Sequence, residues 1–131
     1  MSRAKVKNPR KLGPYGIGLA KELKSLKVSG AQWFKNGTGH FWVEFTWLGE
    51  PVELNFAGSP RNPCWEHSQT RSTFQKKLKS AAARSEMRAE IERLKTPTGG
   101  WTRDGLATLG VPWPPPEGWE KALVDFAGED A

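Results

Sequence analysis

The clearest pattern in the chain is an alternation of apolar and polar residues. From His40 to Trp47 every second residue is apolar, and the alternation recurs from Val52 to Phe56. A period of two is typical of a β-strand with one buried face. A shorter stretch, residues 31–35, precedes an Asn36-Gly37 turn, a strong hairpin signal. The pattern predicts a three-stranded antiparallel meander. Its expected core residues are Phe41, Val43, Phe45, Trp47, Val52, Leu54 and Phe56.

One helix is predicted before this meander in the sequence, and a second helix is predicted after it. Ahead of it, apolar residues recur at spacings of three between Pro14 and Leu26, which indicates an amphipathic helix. After it, a second helix should begin near Ser68 or Thr70 and continue to Lys95, where Thr96-Pro97 ends it.

The apolar residues of the second helix change side along its length. At about 100° per residue, Phe74 and Ala81 share one face, whereas Met87 and Ile91 lie nearly opposite. One sheet cannot bury both stripes. Either the helix breaks at residues 83–85, or its second half packs on the tail of the chain or on another subunit.

These elements predict an α+β fold with the order α-β-β-β-α, in which two helices cover one face of the meander. We expect residues 1–12 to be a basic flexible arm, residues 13–95 to form the domain, and residues 96–131 to be an acidic Trp/Pro-rich extension that packs on the domain or on a partner. Within the extension we expect a short helix capped by Thr102, a polyproline-like stretch, and a helix over residues 119–126.

Charge and composition narrow the functional class. Residues 1–95 carry 18 Lys and Arg against 8 Asp and Glu, whereas residues 96–131 carry 2 against 6. A basic body favours phosphate backbones, because each neutralised phosphate releases a counterion. Cys64 is the one cysteine of the 131 residues, so we expect no disulfide, metal or other cofactor. Without a long apolar segment or a signal-like start, the sequence predicts a cytoplasmic protein with no membrane contact.

The order of elements is that of a double-stranded-RNA-binding-domain-like (dsRBD-like) fold. Over residues 15–79 the chain also resembles the HicA family of toxin mRNA interferases, which carry Gly-Ser-His in the hairpin and Thr-Leu-Arg-Ser at the start of the second helix. The counterparts are residues 37–40, Gly-Thr-Gly-His, and residues 70–73, Thr-Arg-Ser-Thr. Small phage proteins of the same fold look similar. The arm and the extension have no counterpart in the family, and Gly39 replaces its hydroxyl residue.

The resemblance implies that His40 is the catalytic residue of a metal-independent endoribonuclease. An imidazole has an ordinary pKa of about 6.5, so it can take a proton from a ribose 2′-hydroxyl or donate one to the leaving oxygen. A histidine that only contacts RNA, or only flanks a turn, is the alternative. His67 has the more ordinary explanation of a polar residue at a helix start. Cys64 and His67 have a C-x-x-H spacing, but a zinc site needs two more good ligands, and only His40 and carboxylates remain.

The predicted RNA-binding residues lie around His40 and at the start of the second helix, where free N–H groups also favour phosphate. Trp42 could stack on an unpaired base, or the tail tryptophans could cover it. Trp113 and Trp119 are expected either to pack within the molecule or to bind a protein partner. The full set of predicted RNA contacts is Lys35, Trp42, Arg71, Lys76, Lys77 and Lys79.

Two functional hypotheses follow. The first is an RNA-binding protein of HicA-like fold, with endoribonuclease activity through His40 as its extension; such a toxin would need an antitoxin partner. The second is a non-catalytic accessory or phage-type protein that binds a protein partner, or DNA, through the same fold and the Trp/Pro tail. Phosphate binding should weaken steeply with salt, whereas a Trp/Pro contact should not.

Overall fold

The computed structural model describes residues 4–37 and 39–129. Within them the fold is α+β, as predicted, with an antiparallel sheet in the order β1-β2-β3-β4. The chain divides into two compact units, residues 1–78 and residues 79–131. The elements are β1 (Ala4–Val6), α1 (Gly13–Ser25), β2 (Gln32–Lys35), β3 (His40–Trp47), β4 (Glu50–Ala57), α2 (Gln69–Arg93), α3 (Arg103–Thr108) and α4 (Trp119–Glu129), with 3-10 turns at Pro9–Leu12 and Trp65–His67.

The alternating residues of β3 and β4 pair as the sequence pattern predicts. Val43 lies opposite Leu54 on β4 and opposite Trp33 on β2. All three side chains are buried, and Phe45 and Val52 form the next buried pair. The polar residues between them point to the other face, because successive side chains of a strand alternate.

The sheet has a fourth strand that the sequence pattern did not predict. We expected residues 1–12 to be a flexible basic arm, but Ala4–Val6 pairs antiparallel with β2, and Leu12 is completely buried. A three-residue strand is too short to show an alternation of its own; it forms because β2 offers an open edge. Arg3, also assigned to the arm, lies outside the described residues.

Aromatic contacts join the helices to the sheet in the first unit. Phe74 of α2 lies 6.0 Å from Phe45 of β3, measured between ring centroids. Trp65 packs against Phe74 at 6.2 Å and against Tyr15 of α1 at 5.6 Å. Trp65 thus links α1 to α2, and all four rings belong to one buried core.

The contact between α1 and Trp65 depends on a glycine. A Cβ atom added to Gly18 would lie 2.3 Å from Cγ of Trp65, far inside van der Waals contact. The glycine costs helix propensity, about 1 kcal/mol relative to alanine. It is compatible with the fold because it allows the indole to reach the helix backbone.

We therefore expect Gly18→Ala to destabilise the protein by roughly 1–3 kcal/mol, since overpacking outweighs the gain in helix propensity. Urea denaturation would measure the change. Gly37→Ala is the matched control, because no atom lies within 4 Å of a Cβ built at that position. Equal stability of the two variants would contradict the close packing of α1 on Trp65.

The second unit explains why the apolar stripe of α2 changes side. The helix is unbroken from Gln69 to Arg93, and Ile91 is 95% buried even though it lies away from the Phe74 face. The indole Nε1 of Trp101 donates a hydrogen bond of 2.8 Å to the carbonyl of Ile91. The last carbonyls of a helix lack helical partners, so this indole satisfies one of them.

The remaining tail elements begin and end near the predicted positions. Thr102 caps α3 by accepting a hydrogen bond from the backbone N–H of Gly105, and Gly110 follows with a φ of 77°. The predicted domain boundary after residue 95 differs from the observed boundary after residue 78. The difference arises because the second half of α2 packs with the extension. Of the alternatives given above for α2, the structure has an unbroken helix whose second half packs on the tail of the chain.

We expect Trp101→Phe to lower stability by about 1 kcal/mol, because it leaves the Ile91 carbonyl without its indole donor while keeping an aromatic ring. Thermal unfolding followed by circular dichroism would report the loss. Trp113→Phe serves as the control, since Trp113 is half exposed. A melting temperature unchanged by Trp101→Phe would contradict the role of this hydrogen bond.

Candidate nucleic-acid interface

The two faces of the sheet differ in what they carry. One face is the buried core described above. The other, which we call the outer face, carries the alternate residues of all four strands, and the side chains on it are exposed or half-buried. Residues directly opposite each other in the ladder share a face, so the observed register decides which of these side chains are neighbours.

One row of the outer face crosses all four strands. Lys5 of β1 lies opposite Phe34, Phe34 lies opposite Trp42, and Trp42 lies opposite Asn55 of β4. The two aromatic residues are half-buried, and Lys5 and Asn55 are exposed. Because paired residues have Cβ atoms about 5 Å apart, the two aromatic side chains are neighbours on the outer face, between a cation and an amide. We call Phe34 and Trp42 the aromatic platform.

His40 lies beside this platform on the outer face. It is two residues before Trp42 on β3, a separation of roughly 7 Å, and its side chain is exposed. The neighbouring Asn36 holds the backbone of His40 at both polar groups. The Asn36 N–H donates to the His40 carbonyl at 3.0 Å, and the Asn36 Oδ1 accepts from the His40 N–H at 3.1 Å.

On the side of the platform away from His40, the outer face is acidic. Gln32 lies opposite Glu44, which lies opposite Glu53. These residues and Thr46 line an open groove of about 490 Å³. The outer face is therefore polarised, with an imidazole and a lysine near the aromatic platform and two carboxylates in the next row.

Lys35, predicted to assist His40, points to the opposite face. It lies opposite Phe41, whose ring stacks on the buried Phe56 at 5.8 Å. The side chain is exposed at the rim of the sheet. Lys35 and His40 are near each other in the hairpin, but their side chains lie on opposite faces of the sheet, because successive side chains of a strand alternate.

Arg71, predicted to bind phosphate, makes contacts within the protein. Its Nε forms an ion pair with the Glu22 carboxylate of α1, and its guanidinium also donates to the Glu66 carbonyl at 3.4 Å. The same carboxylate accepts from the indole of Trp65 at 3.0 Å. The arrangement ties the start of α2 to α1.

The other basic residues of α2 are exposed. Lys76 and Lys77 belong to the first unit, and Lys79 belongs to the second. None of the three has a hydrogen bond or ion pair among the contacts described for the helix. They offer positive charge at the helix surface without a defined ligand geometry.

The two tail tryptophans predicted to bind a partner differ from each other. Trp119 is half-buried and packs edge-to-face on Trp101, with ring centroids 5.1 Å apart. Trp113 is 51% exposed. Of the pair, Trp119 therefore contributes to packing in the second unit, and Trp113 offers its ring to solvent.

The described residues contain no group of three or more His, Cys, Asp and Glu side chains that could hold a metal ion. Cys64 and His67 are both exposed and flank Trp65 in a 3-10 turn. Thr38, the central residue of the hairpin motif, lies outside the described residues.

Sequence reasoning missed Phe34 and Lys5 as members of the site. Trp33 and Phe34 are adjacent aromatics, so alternation alone does not show which one faces the core. A signal was present in the hairpin: if Asn36 and His40 close the turn, Phe34 must lie opposite Trp42. Lys5 was missed with its strand.

A scan against protein-family models, a search of curated proteins and a search of solved structures return no match. Among the described helices, none has the length and apolar character needed to cross a membrane.

The Glu22–Arg71 pair predicts that Arg71→Gln lowers stability by about 1 kcal/mol, because the half-buried carboxylate loses a charged donor. Chemical denaturation would measure it. The double variant with Glu22→Gln should show a coupling energy of the same size, which identifies the pair itself as the cause.

Lys77→Gln provides the control, since it removes the same charge from an exposed position of the same helix. A stability loss as large in Lys77→Gln as in Arg71→Gln would indicate a general charge effect rather than the pair.

Proposed function

We propose that this protein binds single-stranded RNA on the outer face of its sheet, with Phe34 and Trp42 as the surface on which bases stack. The observation that carries the proposal is the direct pairing of these two half-buried aromatics in the middle of the row that Lys5 and Asn55 complete. Stacking of a base on an aromatic side chain contributes about 1–3 kcal/mol and accepts any base.

The charges around the platform agree with an RNA ligand. Lys5 ends the aromatic row, and the first 95 residues carry a formal balance of +10. Proteins that bind single strands combine aromatic platforms with positive charge along the backbone path. The acidic row of Glu44 and Glu53 disfavours phosphate, so the backbone would run on the Lys5 and His40 side of the bases.

The resemblance to the HicA family supports the same class of ligand. We propose a dsRBD-like arrangement for the first unit, extended by the short strand β1. The mode of binding differs from that of a duplex-binding domain, in which the start of the second helix contacts the backbone. Here the Arg71 guanidinium is engaged by Glu22, whereas the aromatic platform is suited to unpaired bases.

His40 extends the proposal to catalysis. A nucleotide stacked on Trp42 would bring its ribose and phosphate within reach of an imidazole about 7 Å along the same strand. An imidazole can transfer a proton to or from ribose oxygens without a metal. RNA cleavage through His40 is therefore an extension of the binding function, with RNA as the shared ligand.

A protein partner is the second candidate, and the exposed ring of Trp113 favours it. Trp113 stands between prolines at 112 and 114, which restrict the backbone before binding. Tryptophan is enriched among the residues that dominate protein interfaces. An antitoxin or a phage-type partner would fall in this class.

We expect a fluorescein-labelled unstructured RNA to bind in EDTA, and Trp42→Ala or Phe34→Ala to weaken binding roughly 5- to 100-fold through lost stacking. Fluorescence anisotropy measures the affinity. Trp113→Ala is the control, because it removes a more exposed indole from the second unit. An RNA hairpin and a single-stranded DNA of the same length, as competitors, would distinguish duplex and DNA binding from the proposed mode.

The same samples, run on a denaturing gel, test the extension to catalysis. Products that disappear in His40→Ala would assign endoribonuclease activity to His40, and intact RNA would restrict the function to binding. Absence of binding by the wild type, or equal loss in Trp113→Ala and Trp42→Ala, would contradict the outer-face proposal and leave the Trp113 surface as the candidate.

A further inference from the structure

The two edges of the sheet are unequal. The edge strand β1 has three residues, whereas the edge strand β4 has eight, Glu50–Ala57. Within the described residues β4 has one strand neighbour, β3. A long edge strand offers backbone donors and acceptors to another strand, and proteins usually shorten, bulge or charge such an edge.

The hydrogen bonds of the β3–β4 ladder show which residues of β4 face this edge. The Gly58 N–H donates to the Gly39 carbonyl at 3.3 Å, so this pair belongs to the hydrogen-bonded set. Hydrogen-bonded pairs alternate along an antiparallel ladder. Residues 52, 54 and 56 therefore direct their backbone groups to β3, and residues 51, 53, 55 and 57 direct theirs to the open edge.

The position of Pro51 agrees with this assignment. Proline has no N–H and is confined to edge positions where none is needed within the sheet. Residue 51 is such a position, since its backbone faces away from β3. Pro51 lies at the start of β4, which leaves the greater part of the edge, residues 53–57, with backbone N–H groups.

The side chains of β4 distinguish the register centred on residue 53 from the register centred on residue 54. A two-fold axis at residue 53 would bring the two Glu53 carboxylates directly opposite each other, which is unfavourable. An axis at Leu54 places Glu53 opposite Asn55 of the second copy, where the amide can donate to the carboxylate. It also places Val52 opposite Phe56 of the second copy on the core side.

We infer that the protein self-associates through β4, by antiparallel pairing of two copies about a two-fold axis at Leu54. The two sheets then form one sheet of eight strands. Residue 53 of each copy exchanges two backbone hydrogen bonds with residue 55 of the other, and residue 57 donates to the carbonyl of residue 51. The absent N–H of Pro51 is the one missing donor of each copy within this register.

Because one strand pair buries less surface than a standard interface, the dimer is weak and depends on concentration. Sedimentation equilibrium without RNA should show the average mass rising with concentration from 14.6 kDa toward twice that value. The measurement does not use the proposed RNA site, so its failure and that of the proposed function are distinguishable.

A pair of opposite charge variants tests the register. Asn55→Glu places like charges at both contacts with Glu53 and should raise the dissociation constant at least about tenfold. Asn55→Lys places opposite charges there and should leave dimerisation intact or strengthen it. Thr46→Glu is the matched control, since it adds the same charge to the outer face one strand away from the edge.

The double variant Glu53→Lys/Asn55→Glu should recover the dimer, and circular dichroism would verify that each variant folds. A monomer at every concentration, or a dimer that Asn55→Glu leaves unchanged, would overturn pairing through β4. Equal weakening by Asn55→Lys and Asn55→Glu would overturn the axis at Leu54.

Discussion

The closure of the β2–β3 hairpin is the constraint on which the remaining structure depends. Asn36 holds His40 through one backbone and one side-chain hydrogen bond, and this sets Trp33 opposite Val43 and Phe34 opposite Trp42. A slip of one residue would move every side chain of a strand to the other face. The buried core, the aromatic platform and the edge offered to β1 all follow from the same register.

Predictability from sequence follows the strength of the local pattern. The strand His40–Trp47 has a continuous alternation; its bounds were predicted, and so was the burial of Val43 and Phe45, whereas Phe41 and Trp47 at its ends are half-buried. The start of α2 was predicted near Ser68 or Thr70; the helix begins at Gln69, and the Oγ of Ser68 accepts a hydrogen bond from the Arg71 N–H. The strand β1 was not predictable, since three residues with one lysine at the centre carry no period. The ion pair of Arg71 was not predictable either, because Glu22 lies 49 positions earlier in the chain.

The tryptophans show why composition does not identify a site. Seven are present, and the chain uses them in at least three ways. Trp33 and Trp65 are buried in the first unit, Trp101 satisfies a helix carbonyl in the second, and Trp113 is half exposed. An indole has a large apolar area and one donor, so each use is chemically available to every copy. The neighbours that decide among them are distant in sequence.

The acidic row beside the platform gives the outer face a direction. The base of a stacked nucleotide tolerates either side of the platform. Its phosphate does not, because Glu44 and Glu53 lie in the row that follows Trp42. Repulsion between carboxylate and phosphate acts over about 8 Å at physiological salt, comparable to the spacing of these rows. On the proposed function, the carboxylates therefore contribute orientation rather than affinity: they place the ribose-phosphate chain on the side of the face where His40 lies.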